Sequence, residues 1–312
     1  MYNDYLPQGK DALLFNDIKC NVAGLFLCSQ MIIDVMKIIE YKFAARLPIS
    51  EIYGSLPVKW NSGRLILFKQ RIQKDIKKEF ELLKENKIIP VLTFSNPLLS
   101  KKDLDDVICN ELLDNIAQYG GIVIVASNLL EEYIRNRYPS LKIEASIIKT
   151  VLSDKSRTTN YYNELSKNYY KYVVHVNDNS NFSLLKKINK KNAEIILNER
   201  CYRFCSIRRE HYLSIANEQI SQSESRYKDN NFLNVCPAIP ETKQLYSKRR
   251  NISMTLDEYK AIHNLGFLNY KIQGRTNGIH TNIFDLLRFT LEPSVAFTQA
   301  FPIISEYIDE VQ

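Results

Sequence analysis

Eight short β-rich runs that alternate with amphipathic helical stretches constrain this chain more than any other feature. The runs fall at 18–25, 51–56, 89–94, 121–126, 142–147, 172–176, 193–197 and 268–272. Helical patterns occupy 64–83, 103–119, 129–137, 160–167, 183–190, 206–219, 256–264 and 281–289. The clearest stripe has Leu65, Phe68, Ile72, Ile76, Phe80 and Leu83 on one face and charged residues on the other. Alternation of this kind builds parallel strands joined by right-handed crossovers. Eight units predict a closed (β/α)8 TIM-type barrel, and 312 residues suit one such barrel as a single domain, 1–312. The competing arrangement is an open doubly wound sheet. No glycine-rich phosphate loop follows the first run, which counts against its nucleotide-binding form.

The runs end in polar residues: Gly54-Ser55, Ser95-Asn96-Pro97, Ser127-Asn128, Ser146, Asn177-Asp178-Asn179, Asn198-Glu199 and Gln273-Gly274-Arg275. In a barrel these ends meet at one mouth, where barrel active sites lie. The same residue types also cap helices and start turns. Residues 221–251 break the rhythm, being polar, carrying Pro237 and Pro240, and running too long for an ordinary connection. They read as an irregular excursion after the seventh strand that brings Cys236 over the mouth.

Composition narrows the classes. The chain has 42 Lys and Arg against 35 Asp and Glu, a formal charge of +7. These residues are spread over many helices. The clusters at Arg208-Arg209 and Lys248-Arg249-Arg250 lack the interleaved aromatics used for single-stranded RNA. The opening residues, MYNDYLPQGKDALLFND, have no apolar core of signal-peptide length. The longest apolar stretch, 22–36, is interrupted by Ser29, Gln30 and Asp34, so no membrane span is expected and a cytoplasmic location is. In that compartment the six cysteines read as thiols or metal ligands.

The segment Asn198-Glu-Arg-Cys201-Tyr-Arg-Phe-Cys205 follows a buried strand and leads into a helix near Ser206. Thiolates at a helix N-terminus are stabilised by the dipole and by nearby cations, here Arg203, Arg208 and Arg209. Clustered thiolates suit soft metals and iron–sulfur clusters. A bare C-x3-C is a weak signal, and Cys236, in Asn234-Val-Cys-Pro-Ala, adds a third donor. Zinc is the alternative metal.

Two elements resemble the collagenase-like peptidase family U32. Cys201-Tyr-Arg-Phe-Cys205, with Arg208 and Tyr212, looks like the family's paired-cysteine segment after a barrel strand. Residues 256–266, followed by Lys271-Ile-Gln-Gly-Arg275, resemble its late K-I-E-G-R segment, with Gln273 in place of Glu. The resemblance implies an iron–sulfur barrel protein, usually with a 4Fe-4S cluster on four cysteines, acting on RNA bases or quinone rings without oxygen. It also implies Cys201, Cys205 and Cys236 as ligands. The cysteine that precedes the pair in the family is missing here. Either Cys20 replaces it from inside the barrel, or three cysteines leave one iron open to substrate. Cys28 and Cys109 lie in apolar helical patterns and are assigned to packing.

Asn198, Arg208, His211 and Arg275 are the candidates for residues around the substrate. His211 can donate, act as an acid or ligate, and equally can be a satisfied helix histidine. Arg275 follows Gly274 and can clamp a carboxylate or phosphate, or close the barrel by a salt bridge. Lys271 is expected to pair with a carboxylate such as Glu144 or Glu199. No G-x-S-x-G or H-E-x-x-H motif is present. The expected activity is oxygen-independent modification of a small molecule, sugar or nucleic-acid base. The alternatives are a peptidase-like hydrolase on the same barrel and a non-catalytic partner of a related barrel.

Overall fold

The computed structural model describes residues 7–62, 75–199, 201, 204–223, 253–274 and 279–311. Eight parallel strands close into a barrel in chain order: β1 Lys19–Ala23, β2 Ile49–Gly54, β3 Ile89–Phe94, β4 Ile122–Val125, β5 Lys142–Ala145, β6 Lys171–Val173, β7 Ala193–Ile196 and β8 Asn269–Ile272. β8 pairs with β1, which completes the (β/α)8 architecture. Every strand overlaps its expected run. The strands are short and β-branched because both of their faces are covered.

Helices α1 Ser29–Phe43, α2 Ile76–Glu85, α3 Val107–Gln118, α4 Asn128–Arg137, α5 Ile147–Leu152 and α6 Thr159–Asn168 follow the first five strands. After β6 the expected helix at 183–190 shrinks to one turn, α7 Phe182–Leu185. α8 Arg208–Ser223 and α9 Leu256–Asn264 lie between β7 and β8, and α10 Ile279–Thr290 and α11 Phe301–Val311 close the chain. Much of the helical pattern at 64–83, most of the excursion at 221–251 with Cys236, and Arg275 lie outside the described residues. Several polar residues at strand ends cap the following helix. Ser127 Oγ accepts from the Leu130 amide and Ser146 Oγ from the Ile148 amide. Among the described residues, no helix is long and apolar enough to cross a membrane.

Alternation along each strand divides the core into two compartments. The larger lies between sheet and helices and includes Val22, Ile52, Leu92, Phe94, Val123, Tyr172, Ile195 and Tyr270. Cys20 belongs to this outer layer, fully buried on the face of β1 opposite Asn21. That corrects its reading as an inward-facing fourth ligand. Burial, followed by the Glu194 charge, pushes its thiol up to about 12, so it remains protonated packing. Cys109 is likewise buried in α3, and Cys28 packs half-buried at the start of α1.

The strand ends sit tightly against the first turn at the mouth. A Cβ on Gly54 would stand 2.7 Å from the Leu25 carbonyl oxygen. Gly54→Ala must therefore push β2 away from the β1–α1 turn. It should lower stability by about 1–3 kcal/mol in urea unfolding; an unchanged midpoint would mean that the turn yields freely.

Candidate functional site

Five strands each send one charged side chain into the barrel. Glu51 of β2, Glu144 of β5, Lys171 of β6, Glu194 of β7 and Lys271 of β8 are all buried. Lys271 Nζ donates to Glu144 Oε1 at 2.6 Å and to Glu194 Oε2 at 3.0 Å. Lys171 Nζ donates to Glu194 Oε1 at 2.9 Å and to Glu51, and stands 3.4 Å from Glu144 Oε2. Asn21 Nδ2 donates to Glu194 Oε1 at 3.3 Å. The Lys271 ammonium also lies 4.4 Å from the centre of the Tyr53 ring, a cation–π contact. The Lys271–Glu144 pair matches the sequence expectation. Glu199, the other carboxylate considered, bonds elsewhere.

Ligand oxygens of Glu51, Glu144 and Glu194 lie within 4.8 Å of one another, a spacing that would suit a metal ion. Two ammonium groups already stand among them. Three carboxylates against two ammoniums leave one negative charge in excess if all are ionised. Leaving a buried charge uncompensated costs several kcal/mol. Burial, and next the Glu194 charge, push the Glu144 carboxyl up to about 7. Burial also opposes charge on Glu194, but Lys171 and Lys271 outweigh it and hold that carboxyl near 2. For both lysines, burial is outweighed by the surrounding glutamates, and both are held above the ordinary lysine range.

A pocket opens above this cage at the carboxyl ends of the strands. Its lining is in part apolar, from Ile124, Ile147, Ile148, Val173 and Ile196, and in part polar, from Tyr53, Thr93, Ser95, Ser146 and Gln273. Lys271 lies at the junction with the cage, and Tyr212 of α8 covers one side. The buried Thr93 hydroxyl has no hydrogen-bond partner among the described residues.

The rim holds the residues singled out from sequence. Asn198 is a brace: Nδ2 donates to the Gln273 carbonyl at 2.7 Å and to Asp285 Oδ2 at 2.9 Å, and Oδ1 accepts from the Gln273 amide at 2.6 Å. Its side chain thus extends the β7–β8 pairing and ties it to α10. Glu199 is fully buried and accepts from the Cys201 amide at 2.8 Å and from Gln273 Nε2 at 3.3 Å. Cys201 and Cys205 are half-buried, unlike Cys20 and Cys109. Arg208 is buried at the first turn of α8. His211 is half-buried on the same helix, its ring 6.4 Å from that of Tyr212, and it is Tyr212 that lines the pocket. His175 is buried, with Nδ1 accepting from the Asn177 amide at 3.1 Å, so its proton sits on Nε2. Burial, then Arg157 and Arg208, hold it near 3, and it stays neutral.

Sequence reasoning missed Glu51, Lys171 and Glu194. For Glu51 and Glu194 a signal was present: each is a lone charge within a strand whose other residues are mostly apolar, as in Ala193-Glu-Ile-Ile196, whereas Lys171 opens β6 just ahead of its apolar run. In a strand buried on both faces, such a charge needs a partner inside the barrel.

No protein-family profile and no curated protein matches the chain. Among solved structures, the chain is similar to the U32 peptidase Mk0906, with a TM-score of 0.51 and 12% identity over 88% of this chain and 96% of that one. At that identity the likeness speaks for the fold.

Folding takes up a proton at Glu144, because its folded value is raised. The stability this contributes is complete below the ordinary carboxyl range and is lost as pH rises through about 7. Glu194, held near 2, acts oppositely, and its contribution is lost as pH falls towards that value. Urea unfolding at stepped pH should show the first decline in the native chain and not in Glu144→Gln, which keeps the neutral form. Equal slopes would assign the proton elsewhere. Lys271→Met, which strands a carboxylate, should cost about 3–5 kcal/mol.

Proposed function

We propose that this chain is a divergent U32-type barrel enzyme. In this reading Cys201, Cys205 and Cys236 hold an iron–sulfur cluster of the 4Fe-4S type beside the mouth pocket. A small molecule, sugar or nucleic-acid base bound there would be modified without oxygen. The observation that carries this reading is the Glu199 bridge, which joins the Cys201 amide at 2.8 Å to the pocket-lining Gln273 side chain at 3.3 Å. Through Glu199 the backbone at Cys201 is tied to the pocket lining.

The donor set fits a soft metal. Cys201 and Cys205 are half-buried thiols on one loop, reachable by an ion. Cys20 and Cys109 are sealed in packing, where burial raises both thiols. When bound, the cluster supplies iron for electron transfer or Lewis-acid chemistry at the mouth.

The chain's own residues prepare the site. Glu199 holds the cysteine loop against the barrel. Arg208 brings positive charge to the start of α8 and helps to keep His175 neutral. Ser95, Ser146 and Gln273 offer hydrogen bonds to a polar edge, and the lining isoleucines take an apolar face. Asn198 keeps Gln273 in register from behind. His211 and Arg275 complete the substrate surroundings in this reading.

Iron, acid-labile sulfide and the absorption spectrum, measured on anaerobically purified chain and on Cys205→Ala, test it. A broad visible absorption with iron and sulfide in the native chain, largely lost in the variant, is the expected result. A native chain that binds no iron under these conditions removes the cluster and leaves the cysteines to zinc or to structure.

A further inference from the structure

We propose that the buried glutamate–lysine cage is the acid–base group of the mouth pocket, with Lys271 passing a proton between Glu144 and a basic oxygen or nitrogen of the ligand above it. This rests on the reading that the pocket is where substrate binds, and it goes beyond the cluster, because it concerns residues of the barrel interior.

Three observations carry it. First, the cage holds three carboxylates and two ammoniums in a sealed interior, with Glu144 and Glu194 both fully buried. The missing positive charge is most simply a proton. Second, that proton has a position. Glu144 Oε2 is buried with no hydrogen-bond partner among the described residues, its neighbouring cation Lys171 standing at 3.4 Å. Third, Lys271 belongs to both compartments. Its Nζ is 2.6 Å from Glu144 Oε1, and the same side chain lines the pocket. Two of its N–H groups go to carboxylates, and the ammonium faces the Tyr53 ring.

The step balances without an outside reagent. An N–H proton of Lys271 moves to the ligand atom, and the Glu144 carboxyl proton, brought to the Oε1 side by rotation of the carboxyl group, moves onto the Lys271 nitrogen. The ligand gains one proton, Glu144 loses one, and Lys271 ends as an ammonium again. The reverse sequence removes a proton from a ligand. Glu144 acts through Lys271 and so positions and supplies; Lys271 touches the ligand. Since the cage carboxylates already neutralise Lys271, an uncharged ligand suits the pocket.

The groups facing Glu144 are few. β2 brings Glu51 and Tyr53, β6 brings Lys171 with Tyr170 beside it, β7 brings Glu194, and β8 brings Lys271. β1 contributes Asn21, with the Cys20 thiol behind it, and β3 and β4 contribute Ile89, Val91, Ile122 and Ile124 to the interior nearby, with the Thr93 hydroxyl in the pocket lining. Among the described residues, Lys271 is the charged cage group that lines the pocket, and it gives the proton a polar route to the mouth.

Infrared spectroscopy of the full chain tests this without knowledge of the substrate, using D2O as the probe. A carboxylic-acid C=O band should persist well above the ordinary carboxyl range and be absent in Glu144→Gln. On mixing folded protein into D2O, the band should shift far faster than the chain unfolds. Lys271→Met should slow that shift at least tenfold. Should that variant fail to fold, Ile196→Phe is the second test. Ile196 pairs with Lys271 in register and lines the pocket, so the larger ring covers the ammonium and should also slow the shift. No protonated carboxyl band, a band that exchanges only with unfolding, or exchange unaffected in the folded variants would each overturn the proposal. Iron content measured on the same sample reports separately on the cluster, so a failed relay and a failed cluster are told apart.

Discussion

Charge balance inside the barrel is the constraint on which the rest depends. Eight strands must fill the interior with their inward side chains, and here the filling is of two kinds. β3 and β4 supply aliphatic residues, while β2, β5, β6, β7 and β8 supply ions. Aliphatic packing tolerates small errors in register, but the ionic part does not. A one-residue slip of β7 would turn Glu194 into the apolar outer layer and strand both lysines. Because ion pairs of this kind add little net stability over well-packed apolar residues, the large outer core is the main source of stability. The cage instead selects one closure of the barrel.

The fold was legible because strands covered on both faces carry continuous β-branched runs, and eight of them recur with helices between. The boundaries moved by a few residues where polar caps end each strand. The failures have local causes. At 183–190 the apolar positions suit a helix, yet Ile188 is buried by a turn after Leu185, and a single helical turn suffices. Of the two readings of the missing ligand, the one that turned Cys20 inward fails on the parity of β1, which places Cys20 opposite Asn21. The pairing of β1 with β2 shifts between Cys20 and Asn21, an irregularity with no sequence mark.

The site was legible in part. Lys271 with Glu144 could be anticipated, because a lysine inside a buried strand demands a carboxylate. Which others would join them could not, since Asn21 and Glu194 meet across 173 residues only when the barrel closes. Asn198 was picked out for its place at a strand end, and its geometry makes it a brace for β8. Ser146 shows why polar strand ends are ambiguous from sequence: the same side chain caps α5 and lines the pocket.

β8 connects these parts. Lys271 reaches down into the cage, and Gln273, two residues on, lies on the same side of the strand and bonds to Glu199 at the rim. Asn198 holds the Gln273 backbone from β7 through both its amide and its carbonyl. A change in the cysteine loop that moved Glu199 would therefore pull on the strand that carries Lys271. In the opposite direction, a change in cage charge that shifted Lys271 would be felt at Gln273. The distance between the cage and the cysteine loop is spanned by one short strand and two side-chain hydrogen bonds, and Lys271 and Gln273 of that strand both line the pocket.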